Sequence, residues 1–119
     1  MAKDDEGKVF AIIAYVLGIL GFLIVLLAKR DNKFAMYHAK QSLVLNIAAI
    51  VGIIAVSIVG AILSVIPYIG LIFSLLASLL ILAVYIGTIV LWIIGIMNAA
   101  KNVEKPLPYI GQYAEKIKL

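Results

Sequence analysis

The chain has 119 residues, of which 66% are hydrophobic and 13% are charged, with a formal net charge of +4 and no cysteine. Soluble domains average about 25% charged residues, and a chain of this length buries only about two-thirds of its unfolded surface. The composition therefore excludes an ordinary water-soluble domain, disulfides and thiolate metal sites, and predicts a single membrane domain over residues 1–119. The basic residues flank apolar segments, so the expected partner is the lipid bilayer and not nucleic acid.

The first predicted element is an apolar run of twenty uncharged residues, Val9–Ala28, between Lys8 and Lys29. A helix of this length measures about 30 Å, which matches the hydrocarbon core of a bilayer. The stretch before it, residues 3–8, carries three acids against two bases, whereas the first region of a signal peptide is positive. We therefore expect residues 9–28 to form a retained first transmembrane helix.

The second apolar run, Gln41–Ala100, contains no Asp, Glu, Lys or Arg over sixty residues. One crossing needs about 20 residues, and Pro67–Gly70 divides the run, which predicts spans over residues 38–66 and 70–100. A further division at 85–88 would give four spans, but no charge or proline lies there, and loop backbone is costly in lipid. The predicted fold class is all-α, an integral membrane protein with three transmembrane helices and a short amphipathic C-terminal tail.

The distribution of basic residues predicts the orientation of these spans. Eight lie in the first connection and the C-terminal tail, against Lys3 and Lys8 at the start of the chain and none in the Pro67 turn. The positive-inside rule then places the C-terminus in the cytoplasm and the N-terminus outside, for a multi-pass protein of the plasma membrane. The residues expected at the cytoplasmic face are Lys29, Arg30, Lys33, Lys40, Lys101 and Lys105, together with Lys116 and Lys118.

Neutral polar residues cluster at the start of the second span. His38, Ser42 and Asn46 recur at every fourth position and share a helical face, and Gln41 lies beside them. One interpretation is a polar vestibule entered from the cytoplasm. The other is a hydrogen-bonded clamp between helices, with about 0.6–2 kcal/mol per bond.

Small residues recur along the later spans at positions that would let helix backbones approach closely. The candidates for helix packing are Gly52, Gly60, Gly87 and Gly95. Packing within the chain is one explanation, and a homo-oligomer or a larger membrane partner is the other.

The sequence offers no chemistry typical of an enzyme. All six acids lie outside the predicted spans, and a single histidine without cysteine does not form a His/Cys metal cluster. No nucleophile elbow, zinc-protease motif or phosphate-binding glycine loop occurs. We expect no catalytic residue, no cofactor and no metal site.

The C-terminal tail, residues 106–119, differs in composition from the spans. Pro106 and Pro108 prevent the third helix from continuing. Beyond them four apolar residues fall near one helical face: Tyr109, Ile110, Tyr113 and Ile117. Such a segment suits the headgroup plane of a bilayer, and a frayed tail is the alternative.

Two strings carry a resemblance to a known family. The first, Lys29–Asn32 followed by Tyr37–Leu43, resembles a loop and helix start that reads His-Ala-(Arg/Lys)-(Gln/Glu)-Ala-Leu-Asn. The second, Asn98–Lys101 followed by Pro108–Ile117, is similar to a Pro-x-Ile-Gly-x-x-Ala-Glu-Lys-Ile tail. Both belong to small prokaryotic membrane proteins of unknown function grouped with the Tic translocon channel protein of the chloroplast inner envelope. The resemblance covers about residues 10–117, although Val44 and Asn46 stand where relatives usually have Asn and Gln.

The resemblance implies a role in passing or assembling polypeptides at a membrane. Two hypotheses follow. The first is a small Tic-like subunit of a transport or protein-translocation assembly. The second is a non-conducting structural or regulatory membrane protein that binds a larger membrane partner.

Overall fold

The computed structural model describes residues 2–118, with side chains from Glu6 to Lys118. Met1 and Leu119, the outermost residues of the predicted domain and tail, lie outside the described residues. All regular structure in this range is helical, which confirms the all-α class. The elongated molecule measures 62 × 23 × 21 Å. Its helices are α1 (Ala2–Val16), α2 (Ile19–Ala28), α3 (Lys33–Ser64), α4 (Gly70–Ala100) and α5 (Gly111–Ala114).

Two long helices, α3 and α4, form the axis of the molecule. They have 32 and 31 residues and are long and apolar enough to cross a membrane. The bounds of α4 are those predicted for the third span, whereas α3 starts before residue 38 and ends two residues before 66. Asn32 begins α3 by accepting a 3.0 Å hydrogen bond from the backbone N–H of Ala35, the usual role of an N-cap.

The turn between α3 and α4 lies at Pro67–Gly70, as predicted. Tyr68 adopts a positive φ of 70°, and the Ile69 N–H donates to the Pro67 carbonyl at 2.8 Å, which closes a γ-turn. Gly70 begins α4 so close to the end of α3 that a Cβ there would overlap the Ser64 carbonyl oxygen. A glycine is therefore required at that position.

The first predicted span is not one continuous helix. Helix α1 ends at Val16, Gly18 adopts a φ of 61°, and α2 folds back along α1. The Lys29 ammonium consequently forms an ion pair with Glu6 near the start of α1. The prediction of a helix over residues 9–28 is wrong, because Gly18 enters the left-handed region without a Cβ penalty. Three transmembrane helices are not confirmed: two long helices accompany a shorter hairpin.

This α1–α2 hairpin is tight because of Gly21. A Cβ at Gly21 would overlap the backbone of Ile13 and Ala14, so only glycine lets the two arms touch. The start of α1 therefore lies beside the connection between α2 and α3, and not at the opposite end of the molecule as expected.

The buried core lies at one end of the molecule, which we call the base (residues 2–46 and 92–118). One apolar cluster joins α1, α2 and α3, and a second joins α1, α3, α4 and the tail. We call the remainder, residues 47–91, the outer hairpin; within it only Gly60 and Gly70 are buried. The base thus holds the buried core of the described chain, while α3 and α4 also contact each other in the outer hairpin.

Candidate functional site: the polar cluster of the base

The first half of α3 carries three polar side chains that are completely buried, at 0% exposure: His38, Gln41 and Ser42. Together with Tyr15, Asn46 and Trp92 they form what we call the polar cluster. Buried polar groups are costly unless they are hydrogen-bonded. In this cluster each buried side chain bonds to a different segment of the chain.

His38 connects α1 with the segment that follows α4. Its Nε2 lies 2.8 Å from the Val103 carbonyl oxygen, and its Nδ1 lies 2.7 Å from the Tyr15 hydroxyl. Because a carbonyl only accepts, Nε2 carries the hydrogen, and Tyr15 donates to Nδ1 when the ring is neutral. Phe34 and Tyr37 contact the His38 ring edge-on, at centroid distances of 4.8 and 5.2 Å. These contacts use both ring nitrogens and fix the ring.

Gln41 holds the C-terminal tail against α3. Its Nε2 donates to the Gly111 carbonyl at 3.1 Å, and its Oε1 accepts from the Leu107 N–H at 3.0 Å. A Cβ at Gly111 would collide with the Gln41 side chain. The amide of Gln41 therefore replaces the backbone partners that the tail lacks between its two prolines.

Ser42 and Trp92 satisfy the end of α1. Ser42 Oγ donates to the Ala14 carbonyl at 2.6 Å, and Trp92 Nε1 donates to the Tyr15 carbonyl at 2.6 Å. The last carbonyls of a helix have no partner within it, and a helix end surrounded by apolar groups needs donors from its neighbours. These two bonds allow α1 to stop at Val16.

Asn46 lies at the tip of the α1–α2 hairpin. Its Nδ2 donates to the backbone oxygen of Ser42 at 2.8 Å, within the same helix. Its Oδ1 would lie 3.2 Å from a Cβ at Gly18, so the amide packs directly against the break in the first apolar run. The hydrogen bonds of the cluster favour the clamp interpretation over an open vestibule.

The four glycines proposed for packing lie in different surroundings. Gly95 is buried under the Tyr15 ring, with which a Cβ would collide, and Gly60 faces Ala77 at the outer end of the α3–α4 pair. Gly52 faces Val84 at an ordinary 3.8 Å, and Gly87 meets no atom within 4 Å. Three of the four therefore lie at contacts within the chain, and Gly87 faces outward.

The predicted cytoplasmic basic residues all lie at the base. Lys29 pairs with Glu6 and lies 5.4 Å above the Phe10 ring. Three others line a cavity beside the tail: Arg30, Lys33 and Lys40. Lys101 and Lys105 are exposed just beyond α4.

The tail is ordered differently from either expectation. It is helical only over Gly111–Ala114, and its buried residues are Leu107, Gly111 and Ala114. Tyr109 and Tyr113, predicted to share an apolar face, are 92% and 53% exposed. The helical part of the tail is shorter than the sequence predicted, and the bonds to Gln41 fix which side of the tail meets α3. Contact of the exposed tyrosines with the headgroup plane stays a prediction.

Sequence analysis did not identify Tyr15 or Trp92 as members of this cluster. The available signal was Gly18: a glycine in the middle of the run Val9–Ala28 permits a break, and a break requires donors from neighbouring helices. Trp92 is the only tryptophan of the chain and carries such a donor. Among residues 2–118 no group of three or more His, Cys, Asp or Glu side chains is placed to hold a metal ion.

Comparisons with known proteins identify the family. The model of the magnetosome magnetite crystal formation protein family (MamF/MmsF) matches residues 6–113. Two UPF0132 membrane proteins of Methanocaldococcus jannaschii are 30% and 32% identical to the chain; each alignment covers 98% of this chain, and 73% and 94% of the relative. No solved structure matches the chain significantly. The chain belongs to the magnetosome magnetite crystal formation protein family and is a membrane protein.

The resemblance to the Tic-translocon-like family is therefore wrong. The matching family model and both relatives are of another description, and none indicates a Tic relationship. The two strings that carried it lie at the polar cluster and the tail. There they serve packing within the chain: His38 and Gln41 bond to the segment after α4 and to the tail. A role in protein translocation has no support from these findings.

Proposed function

We propose that this member of the family is a non-catalytic structural membrane protein that widens the cytoplasmic leaflet and thereby favours a curved bilayer. The observation that carries the proposal is the α1–α2 hairpin. It adds two helices at the base, whereas only α3 and α4 continue into the outer hairpin. A molecule with four helices at one membrane face and two at the other has a wedge shape.

The length of α3 and α4 beyond the hairpin supports insertion into one leaflet only. The tip at Gly18 lies level with Asn46 and Trp92. From there α3 runs about 27 Å to its end, and α4 about 33 Å to its start. Because the hydrocarbon core is about 30 Å thick, the tip enters only the cytoplasmic side of the bilayer.

The surface of the hairpin supports its contact with lipid. Leu17, Leu20 and Leu27 are 47%, 67% and 84% exposed. Helices that place apolar side chains about 5–10 Å into the boundary between headgroups and acyl chains bind in a curvature-sensitive way. The α1–α2 hairpin has the exposed apolar surface that such a shallow position requires.

The charges support the orientation. With α1 folded back, all ten Lys and Arg residues of the sequence belong to the base, and the outer turn has none. The positive-inside rule favours the base, with both chain ends, on the cytoplasmic side. This replaces the expected external N-terminus, which assumed a crossing by residues 9–28.

The polar cluster supports a packed protein over a pore. His38, Gln41 and Ser42 hydrogen-bond to Val103, Gly111 and Ala14, all within the same chain. A conducting path needs polar groups or water along its walls. These side chains are instead committed to backbone partners.

A curvature-sorting experiment tests the proposal. Fluorescent protein is reconstituted, base outward, into vesicles of several diameters, and its density per membrane area is measured on single vesicles. We expect the density to rise as the diameter falls. The double variant Leu20→Ala/Leu27→Ala removes exposed apolar side chains from the α1–α2 hairpin, and we expect it to weaken the dependence of density on diameter. The matched control Leu79→Ala/Leu82→Ala changes exposed positions of the outer hairpin and should show the wild-type dependence on diameter. Equal density on all diameters would contradict the wedge.

We also propose that the outer hairpin associates with a second copy or with a larger membrane partner. Gly87 supports this, because it presents a side-chain-free surface to the outside of α4, and small residues allow close helix contacts in lipid. Chemical crosslinking in native membranes through a cysteine at position 87 tests it. A cysteine at exposed Leu79 is the control, and equal yields from both positions would argue against a specific contact.

A further inference from the structure

A cavity of about 360 Å³ lies between the start of α3, the segment after α4 and the tail. It is separate from the polar cluster, with which it shares only the Gln41 side chain. Its charged and hydroxyl-bearing lining residues are Arg30, Lys33, Tyr37, Lys40, Glu104 and Glu115. Met36 and Ala114 supply apolar wall, so the cavity combines a charged rim with an apolar floor.

Positively and negatively charged side chains both line this cavity, and the described side chains form no ion pairs with one another there. Among the described side chains, the only ion pair within 4 Å is Lys29 with Glu6, and neither residue lines the cavity. Three cations and two carboxylates therefore surround the same space without direct pairing. A ligand that carries both a negative and a positive group would complement them.

Tyr37 adds a fixed hydroxyl to this wall. Its oxygen is buried and lies beside the Glu115 carboxylate, with which it makes no well-formed hydrogen bond. The ring is held edge-on against His38 at 5.2 Å. A buried polar atom without a partner is uncommon in native structures. A ligand oxygen in the cavity would supply the missing partner.

We propose that this cavity binds a phosphoethanolamine headgroup. The phosphate accepts hydrogen bonds from the Arg30, Lys33 and Lys40 side chains and from the Tyr37 hydroxyl. The primary ammonium donates to the Glu104 and Glu115 carboxylates. The site lies at the basic end of the molecule, on the headgroup side of the α1–α2 tip, so a phosphatidylethanolamine supplies this chemistry while its acyl chains extend toward the membrane. The proposal does not depend on the wedge.

Thermal unfolding of the purified full chain in detergent, titrated with defined probes, tests the site. The probes are short-chain phosphatidylethanolamine, phosphatidylcholine and phosphatidylglycerol, together with glycerophosphoethanolamine and inorganic phosphate. Phosphatidylcholine has no N–H donor, and phosphatidylglycerol has no ammonium. We expect phosphatidylethanolamine to raise the Tm at concentrations about tenfold lower than either lipid needs, the ratio expected for one lost charged hydrogen bond. We expect glycerophosphoethanolamine to raise the Tm only weakly, and inorganic phosphate to raise it least.

Variants test the phosphate and the ammonium contacts of the headgroup separately. Tyr37→Phe leaves the Tm without lipid nearly unchanged, because the removed hydroxyl makes no well-formed hydrogen bond, and weakens phosphatidylethanolamine binding severalfold. Glu115→Gln, at an exposed position, removes the preference over phosphatidylglycerol. Tyr113→Phe and Lys101→Gln, which lie outside the cavity lining, are the matched controls and keep wild-type titrations.

Three results would each overturn the proposal. One is equal titrations with the three lipids. The second is full saturation by inorganic phosphate, which identifies a simple anion site. The third is a Tyr37→Phe or Glu115→Gln protein that titrates like its control.

Discussion

The base buries three polar side chains completely and through them joins α1, α3, the segment after α4 and the tail, whereas the outer hairpin buries only two glycines. In the base, helix ends and connections lie next to apolar groups, so their backbone atoms need donors and acceptors from elsewhere. In the outer hairpin the hydroxyls of Ser64, Ser78 and Thr88 bond within their own helices, to Ala61, Ser74 and Val84. One region is specified by tertiary hydrogen bonds, and the other by helical continuity and lipid.

The sharpest test of this comparison is the side of the membrane on which each region lies. The chain has no cysteine, so single cysteines at Lys8, Lys101 and Tyr68 are treated with an impermeant thiol reagent. In intact cells we expect labelling at Tyr68 only, with Lys8 and Lys101 labelled after the membrane is opened. If the cysteines at positions 8 and 68 were both labelled in intact cells, residues 9–28 would have to cross the membrane as one continuous span.

Gly21→Ala should cause the largest loss of stability. The new methyl group would overlap backbone atoms of Ile13 and Ala14, which have no room to move. We expect the free energy of unfolding in mixed micelles to fall by about 3 kcal/mol. Gly87→Ala is the control in the outer hairpin, because nothing lies within 4 Å of its position. A similar loss of stability in Gly21→Ala and Gly87→Ala would show that the α1–α2 contact is packed no more closely than the surroundings of Gly87.

Gln41→Leu should release the tail from the base. It removes two hydrogen bonds and leaves the buried Leu107 N–H without its partner, at a cost of about 2–3 kcal/mol. Limited proteolysis should then cleave after residue 101 faster than in the wild type. The control is Ser78→Ala, whose exposed hydroxyl bonds only within α4, and which should shift stability by less than about 0.5 kcal/mol. Unchanged proteolysis would mean that the tail is held by other contacts.

The smallest expected effect concerns two equivalent turns, one in each region. Pro67–Gly70 and Pro108–Gly111 share the sequence Pro-Tyr-Ile-Gly, and in both the tyrosine has a φ of 70°. Replacing either tyrosine with Gly relieves a strained conformation and should stabilise the fold by about 1 kcal/mol. Thermal unfolding of Tyr68→Gly and Tyr109→Gly measures this. Destabilisation at position 68 alone would show that the exposed ring anchors the outer turn in the interface.

Much of the fold was predictable from the sequence because lipid imposes simple rules. The absence of charge from Gln41 to Ala100 and the proline at 67 predicted α4 at its observed bounds and the turn before it. The spacing of His38, Ser42 and Asn46 predicted a shared helical face. The partners of His38, Gln41 and Ser42 were not predictable, since Val103, Gly111 and Ala14 contribute backbone atoms that every residue possesses.

The first apolar run shows the limit of the same rules. Its length and hydropathy fit a crossing, and nothing in its composition distinguishes a continuous helix from two shorter ones. Gly18 permitted the break, but the break is stabilised by Ser42 and Trp92, which are distant in the sequence. Length and composition therefore predicted one continuous helix where the chain folds back, and the three predicted spans are not confirmed.

The sequence by itself determined that this chain is a helical membrane protein with two long apolar helices and a basic end. It did so because transfer of charges and backbone into lipid costs so much that few arrangements remain. Tertiary structure alone decided that residues 9–28 fold back, that the tail docks through Gln41, and that mixed charges surround one cavity. Those outcomes depend on hydrogen bonds and close contacts between segments up to 77 residues apart, which no local pattern encodes.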